Sequence, residues 1–250
     1  MTSSHMAMRT ASVGNAARYA IYFAPRPGSL WWEFGCSWLG RDPATGRDCS
    51  FPQVDGLAEN DIRCWTSPPR VYGWHATLAA PFRLAAGYGE SDVHRVASAL
   101  AGTFAAVAFD VLPVDMGDFV ALAPTHAVAR LTDIACSSTR RVSVLSAPLD
   151  PGDFSRRAAG DLTARQRQNL QDWGYPYTMD EFRFHMTLTG SLPAPDRVRV
   201  ISALGRYLAA LRPGPLNVDG ISVFRQARAG ASFSLTRRFG FDGSETVFNG

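Results

Sequence analysis

The stretch VYGWHATLAAPFRL (residues 71–84) becomes apolar and alternating after a long run of turn-forming composition, as a strand entering a core does. A second stretch, EFRFHMTLT (residues 181–189), alternates in the same way. Each carries the pattern H-x-T-L, as His75-Ala76-Thr77-Leu78 and His185-Met186-Thr187-Leu188. Side chains at i and i+2 of a strand share a face, so histidine and threonine project together while leucine turns to the core. Two such strands facing each other across a cleft bring two imidazoles and two hydroxyls onto a space the size of a phosphate.

Working outward, RYAIYFA (residues 18–24) reads as a buried strand stopped by Pro25 and Pro27. SLWWEFGCSWLG (residues 29–40) places Leu30, Phe34, Trp38 and Leu39 at helical spacing, with Ser29 as N-cap and Gly40 as stop. Arg41 to Arg70 is rich in turns and breakers and reads as a surface excursion. Glu90 to Phe104 is an amphipathic helix with Val93, Val96, Ala97 and Leu100 on one stripe. Phe104 to Val114 and Gly117 to Ala123 are two strands joined through Asp115-Met116-Gly117, and Pro124 and Thr125 open a helix toward Thr139. Asp150 to Trp173 is helical in pattern and ends at Gly174. A helix at Pro195 to Leu211 and strands at Leu216 to Arg225 and Ser232 to Arg237 close the chain. The order is a rough duplication, which predicts an α+β fold with antiparallel strands covered by helices and a cleft between two similar halves. Residues 18–240 are expected to form one two-lobed domain, between a disordered segment (1–17, with Ser3-Ser4-His5-Met6 reading as a cloning remnant) and a tail (241–250).

Composition narrows the functional classes. All 25 basic residues are Arg, a planar fork suited to phosphate, although GC-rich coding produces the same bias. The charges are scattered and the net charge is only +3, so no polynucleotide-binding stripe is evident and DNA is not an expected partner. Cys36, Cys49, Cys64 and Cys136 lack C-x-x-C spacing and read as reduced structural thiols. There is no apolar run of about 18 residues, which predicts a soluble, cytoplasmic protein without a membrane partner. Neither G-x-S-x-G, a P-loop nor G-x-G-x-x-G occurs, which disfavours serine hydrolases and nucleotide-binding enzymes.

The paired motif points to phosphoryl chemistry. Displacement at phosphorus needs one group to take a proton from the nucleophile and another to protonate the leaving oxygen. Histidine suits both roles near neutral pH, which makes His75 and His185 the candidate catalytic pair. Thr77 and Thr187 can donate to non-bridging oxygens, and a nearby Arg can stabilise developing charge. By strand alternation Gly73 and Arg183 share the histidine face, so Gly73 would leave room for a ligand and Arg183 is the first candidate phosphate-binding cation, with Arg83 second. Tyr72, Trp74, Phe182 and Phe184 should turn inward. Tyr22 could line the groove or fill the core. No metal-ligand spacing is present and no cofactor is expected. His94 and His126 lie on expected helices without a repeated context and read as surface or structural residues.

These motifs resemble those of the 2H phosphoesterase superfamily. RYAIYFAP (18–25), WLGRDPATG (38–46), YGWHATLAAPFRL (72–84), FRFHMTLTG (182–190) and FRQ (224–226) are similar to its branch associated with bacterial phosphonate-utilisation operons. The resemblance implies a two-lobed fold with pseudo-twofold symmetry, a central groove, and His75, Thr77, His185 and Thr187 as its quartet. Members of that branch often carry a basic residue directly after the first motif, where this chain has Ala79, so Arg83, Arg183 or Arg225 would have to substitute or the substrate differs. The expected activity is metal-independent hydrolysis of a small cyclic phosphate or phosphodiester in phosphonate metabolism. A 2',3'-cyclic nucleotide or RNA end is an alternative substrate, and a non-catalytic binder of a phosphorylated ligand an alternative role.

Overall fold

A strand that is apolar on both faces belongs inside a sheet, with partners on either side. In the computed structural model, which describes residues 16–249, Arg18–Phe23 forms β1 and is buried from Tyr19 onward. Leu30–Leu39 forms α1, with the Ser29 hydroxyl accepting from the Trp32 N–H and Gly40 closing the helix at φ 71°. The supposed excursion then folds two short helices, α2 (Glu59–Trp65) and α3 (Ser67–Arg70), before β2 (Ala76–Phe82). There follow α4 (Glu90–Ala101), β3 (Val107–Phe109), β4 (Val111–Asp115), β5 (Val120–Pro124) and α5 (Ala129–Ser143). The last part comprises α6 (Pro151–Ala158), α7 (Ala164–Trp173), β6 (Met186–Thr187), α8 (Ala194–Leu211), β7 (Leu216–Val218), β8 (Gly220–Gln226), β9 (Phe233–Gly240) and β10 (Glu245–Val247).

The fold is α+β. Eight strands form one antiparallel sheet in the order β10-β9-β8-β1-β2-β6-β5-β4, and β3 pairs separately with β7. The motif strands β2 and β6 are therefore neighbours inside one sheet, joined by the pair Ala76–Met186, instead of facing each other across a gap. Five strands lie to one side of that junction and three to the other. α4 packs on β8 and β9, α5 on β2, and α8 on β4 and β5, and they enclose the main core. On the opposite face Tyr22, Phe224, Phe233 and Leu235 form a smaller apolar cluster with Trp32 and Cys36. No described helix is long and apolar enough to cross a membrane.

Several expected boundaries move. The strand expected over Phe104 to Val114 breaks at Asp110, because β3 leaves the large sheet to pair with β7, and the strand expected over Leu216 to Arg225 breaks correspondingly at Asp219. Pro124 ends β5 and does not open a helix; α5 begins only at Ala129. The helix expected over Asp150 to Trp173 is two, parted where Ala159 turns extended and Gly160 takes φ 109°. The residues expected as a tail supply β10, and residues 1–15 lie outside those described. The second motif strand is reduced to Met186–Thr187, preceded by a 3-10 turn at Met179–Glu181.

Candidate active site

The register of the central pair builds the site. With Ala76 opposite Met186 in an antiparallel ladder, His75 stands opposite Thr187 and Thr77 opposite His185. Ala76 and Met186 are buried in the main core, so their neighbours at i±1 all project to the other face. His75, Thr77, His185 and Thr187 accordingly line one groove of about 450 Å³, related by a local twofold between the strands. Leu78 and Leu188 turn to the core, as do Trp74 and Phe184. Phe182 is only partly buried, and Tyr72 is 38% exposed at the groove wall, against the expected inward orientation.

Both imidazoles are oriented alike. His75 Nδ1 lies 2.8 Å from the Gly73 carbonyl and His185 Nδ1 lies 2.8 Å from the Arg183 carbonyl. A carbonyl only accepts, so Nδ1 carries the hydrogen in each ring and Nε2 is left for proton transfer. These carbonyls serve the rings and not a strand partner, so regular pairing begins only after each histidine. The Thr77 hydroxyl donates to His75 Nε2 at 3.2 Å. Each ring also leans on an aromatic: Tyr22 stacks on His75 with centroids 3.8 Å apart, and Phe119 tilts against His185 at 5.8 Å.

Burial pulls His75 down to about 4, partly offset by the bond to Gly73 and reinforced by the neighbouring His185. Burial lowers His185 as well, against the bond to Arg183. Because the folded pKa of His75 is below the ordinary 6.5, its contribution to stability is full above pH 6.5 and is lost as pH falls toward 4. Anion binding has the opposite sign, since a negative charge between the rings draws a proton in. Sulfate, a dianion throughout pH 5–8, is expected to bind more tightly as pH falls, by at most about tenfold per pH unit for each proton taken up. Titration calorimetry at several pH values checks this; an affinity independent of pH would contradict it.

Packing from outside the sheet fixes the two strands. The buried Trp38 Nε1–H donates to the Leu188 carbonyl at 2.8 Å, tying α1 to the second motif. α1 lies against Trp74 so closely that a Cβ on Gly35 would come 2.0 Å from the indole. Gly73, at φ 78°, has its open side filled by Pro43, 2.7 Å from where a Cβ would sit, so the space expected for a ligand belongs to that proline. The end of the excursion reaches the rim: Pro68 and Pro69 line the groove, and the Trp65 carbonyl accepts from the Gly190 N–H at 2.7 Å.

The arginines divide differently from expectation. Arg83 is held by Asp150 and Asp153 and is not among the groove residues. β2 is irregular against β1, so Leu78 and Ala79 both enter the core while Ala80 and Pro81 line the groove, and strict alternation from His75 to Arg83 fails. Arg225 lies 3.7 Å from Glu90 beside α4. Arg183 is exposed and lines an adjoining depression shared with His185 and Thr77. The cations in the histidine groove are Arg18, Arg156 and Arg157, which sequence reasoning passed over. Among the described residues no group of three or more His, Cys, Asp or Glu is placed to hold a metal ion, and His94 and His126 are not among the groove residues.

An α+β fold with a paired-histidine groove is the class of protein defined so far. The chain belongs to the family described as "Protein of unknown function (DUF1045)", whose model matches residues 77–234. It is 35% identical over 231 residues to the ribose 1,5-bisphosphate phosphokinase PhnN of Janthinobacterium sp. (strain Marseille), a match over 90% of this chain and 51% of that protein. It is 36% identical over 222 residues to the protein of the same name in Laribacter hongkongensis (strain HLHK9), over 88% and 51% respectively. The chain spans about half the length of these curated relatives.

Proposed function

We propose that the chain is a metal-independent phosphoesterase of the 2H type that hydrolyses a small cyclic phosphate in phosphonate metabolism. The observation that carries this reading is the local twofold of His75, Thr77, His185 and Thr187, with each Nδ1 fixed by a backbone carbonyl and both Nε2 atoms on the groove side, that of His75 capped by the Thr77 hydroxyl. In the proposed step His75 Nε2 takes a proton from water as the water oxygen bonds to phosphorus. The ester P–O bond opposite breaks, and His185 Nε2–H protonates the departing alkoxide. Thr187 donates to a non-bridging oxygen, and the Thr77 hydroxyl, which caps His75 Nε2 in the free site, turns to the other non-bridging oxygen as that nitrogen takes up the water proton. We take His75 as the base, because burial pulls it down to about 4 and Tyr22 stacks on its ring, and His185, which burial also lowers, as its partner acid; the local twofold allows the reverse assignment on the same geometry.

The relatives' name specifies a ribose carrying two phosphates, which favours a pentose phosphate over a polymer. The P-loop pattern G-x-x-x-x-G-K-[ST] needs a lysine and this sequence has none, which favours a phosphoesterase over a P-loop kinase for this segment. A 2',3'-cyclic nucleotide is a second reading, favoured by Tyr72 at the groove wall, where a base could stack. Initial rates on pentose cyclic phosphates and 2',3'-cyclic nucleotides, measured with EDTA across pH, test the proposal. Turnover with a bell-shaped profile that survives EDTA is expected. Activity abolished by EDTA and restored by a metal would overturn the mechanism, and ligand binding without turnover would favour a binding role.

A further inference from the structure

Two guanidinium groups in the groove have no part in the reaction proposed above. Arg18, at the start of β1, donates from Nε to the Gln226 side-chain oxygen at 2.7 Å and lies 5.6 Å from the Phe233 ring centroid. Arg157, near the end of α6, donates to the Gly174 and Pro81 carbonyls at 2.6 and 2.7 Å and lies 5.9 Å from the Tyr175 ring centroid. Every partner is neutral. Among the described residues neither guanidinium forms an ion pair, and Asp153, the carboxylate whose field reaches Arg157, is engaged by Arg83 and Arg156.

Like charges in one groove repel each other and attract an anion. Arg157 is half-buried, which pulls it below the usual guanidinium range; the field of Asp153 opposes this, and the charges of Arg18 and Arg156 add to it. Arginine nevertheless stays protonated, so two charges persist in one groove. The neutral acceptors hold each fork in place, and among the described residues nothing accepts from either terminal nitrogen of Arg18 or from Nε of Arg157. Such a pair suits an anion with several acceptor oxygens and twofold charge, which a phosphate monoester provides. A groove of about 450 Å³ is of small-metabolite size.

We propose that Arg18 and Arg157 form a second anion subsite, which makes the substrate a cyclic phosphodiester bearing a separate terminal phosphate monoester. This rests on the phosphoesterase reading for its chemistry and on the arginines alone for binding. Calorimetric titration of the full chain with ribose 5-phosphate and with ribose tests the binding. Ribose 5-phosphate is expected to bind and ribose not, and Arg18→Gln or Arg157→Gln is expected to weaken binding by about 10–100-fold. Arg95→Gln, an exposed position on α4, serves as control. Should Arg157→Gln fail to fold, Arg18→Gln decides. Wild-type affinity in both arginine variants, or no binding to the wild type, overturns the subsite.

Turnover separates the two readings. For the wild type, removing the terminal phosphate from a pentose cyclic phosphate is expected to lower kcat/KM by about 10–100-fold, and for the arginine variants hardly at all. Turnover indifferent to the terminal phosphate overturns the subsite and leaves the phosphoesterase. Arginine-dependent binding with no cyclic phosphate turned over supports the subsite and removes the phosphoesterase.

Discussion

Replacing His75 or His185 by Ala is expected to lower turnover of a cyclic phosphodiester by about 10²–10⁴-fold, without loss of the fold. One ring takes a proton from the nucleophile and the other gives one to the leaving oxygen in the same transition state, so removing either interrupts that transition state. For that reason the double variant should be hardly worse than the weaker single. Each ring sits at the groove face and not in the main core, so melting temperatures should change much less than rates. Steady-state kinetics on the three variants, with thermal melts as control, provide the check. A variant of either histidine that keeps more than about a tenth of wild-type kcat would remove that residue from the mechanism.

The largest effect on stability is expected at Trp38. Its side chain is fully buried, stacks on Phe34 with centroids 6.4 Å apart, and donates to the Leu188 carbonyl. Trp38→Ala removes a large ring from the core, at about 3–5 kcal/mol, and leaves a buried carbonyl unpaired at about 1–3 kcal/mol more. Trp38→Phe keeps most of the volume and loses only the donor, so it should fall near the smaller figure. Denaturant unfolding measures both. A Trp38→Ala variant within about 1 kcal/mol of wild type would show that α1 does not anchor the second motif strand.

Where local chemistry decides, the sequence is legible. Ser29 and Gly40 bound α1 as their capping preferences predict, and the repeated H-x-T-L identifies four side chains that converge on one groove. The alternation that turns Leu78 and Leu188 inward holds on both motif strands. It fails farther along β2, where an irregularity in the pairing with β1 carries Ala79 into the core and Arg83 to Asp150 and Asp153. No pattern within a strand announces such a shift, because it is set by the partner. The adjacency of β2 and β6, which turns two motifs into one twofold site, joins residues far apart in the chain. Arg18 and Arg157 were hidden for the same reason: nothing in RYAIYFA or in the charged helical stretch marks an arginine that the fold turns toward the histidines.

The most direct measurement is ³¹P NMR of a pentose cyclic phosphate incubated with the wild-type chain in the presence of EDTA, alongside His75→Ala and His185→Ala. The account predicts that the cyclic phosphodiester signal is replaced by that of a phosphate monoester with the wild type alone. A cyclic signal unchanged by the wild type across a panel of pentose and nucleoside cyclic phosphates, or conversion at equal rates by the histidine variants, would contradict it.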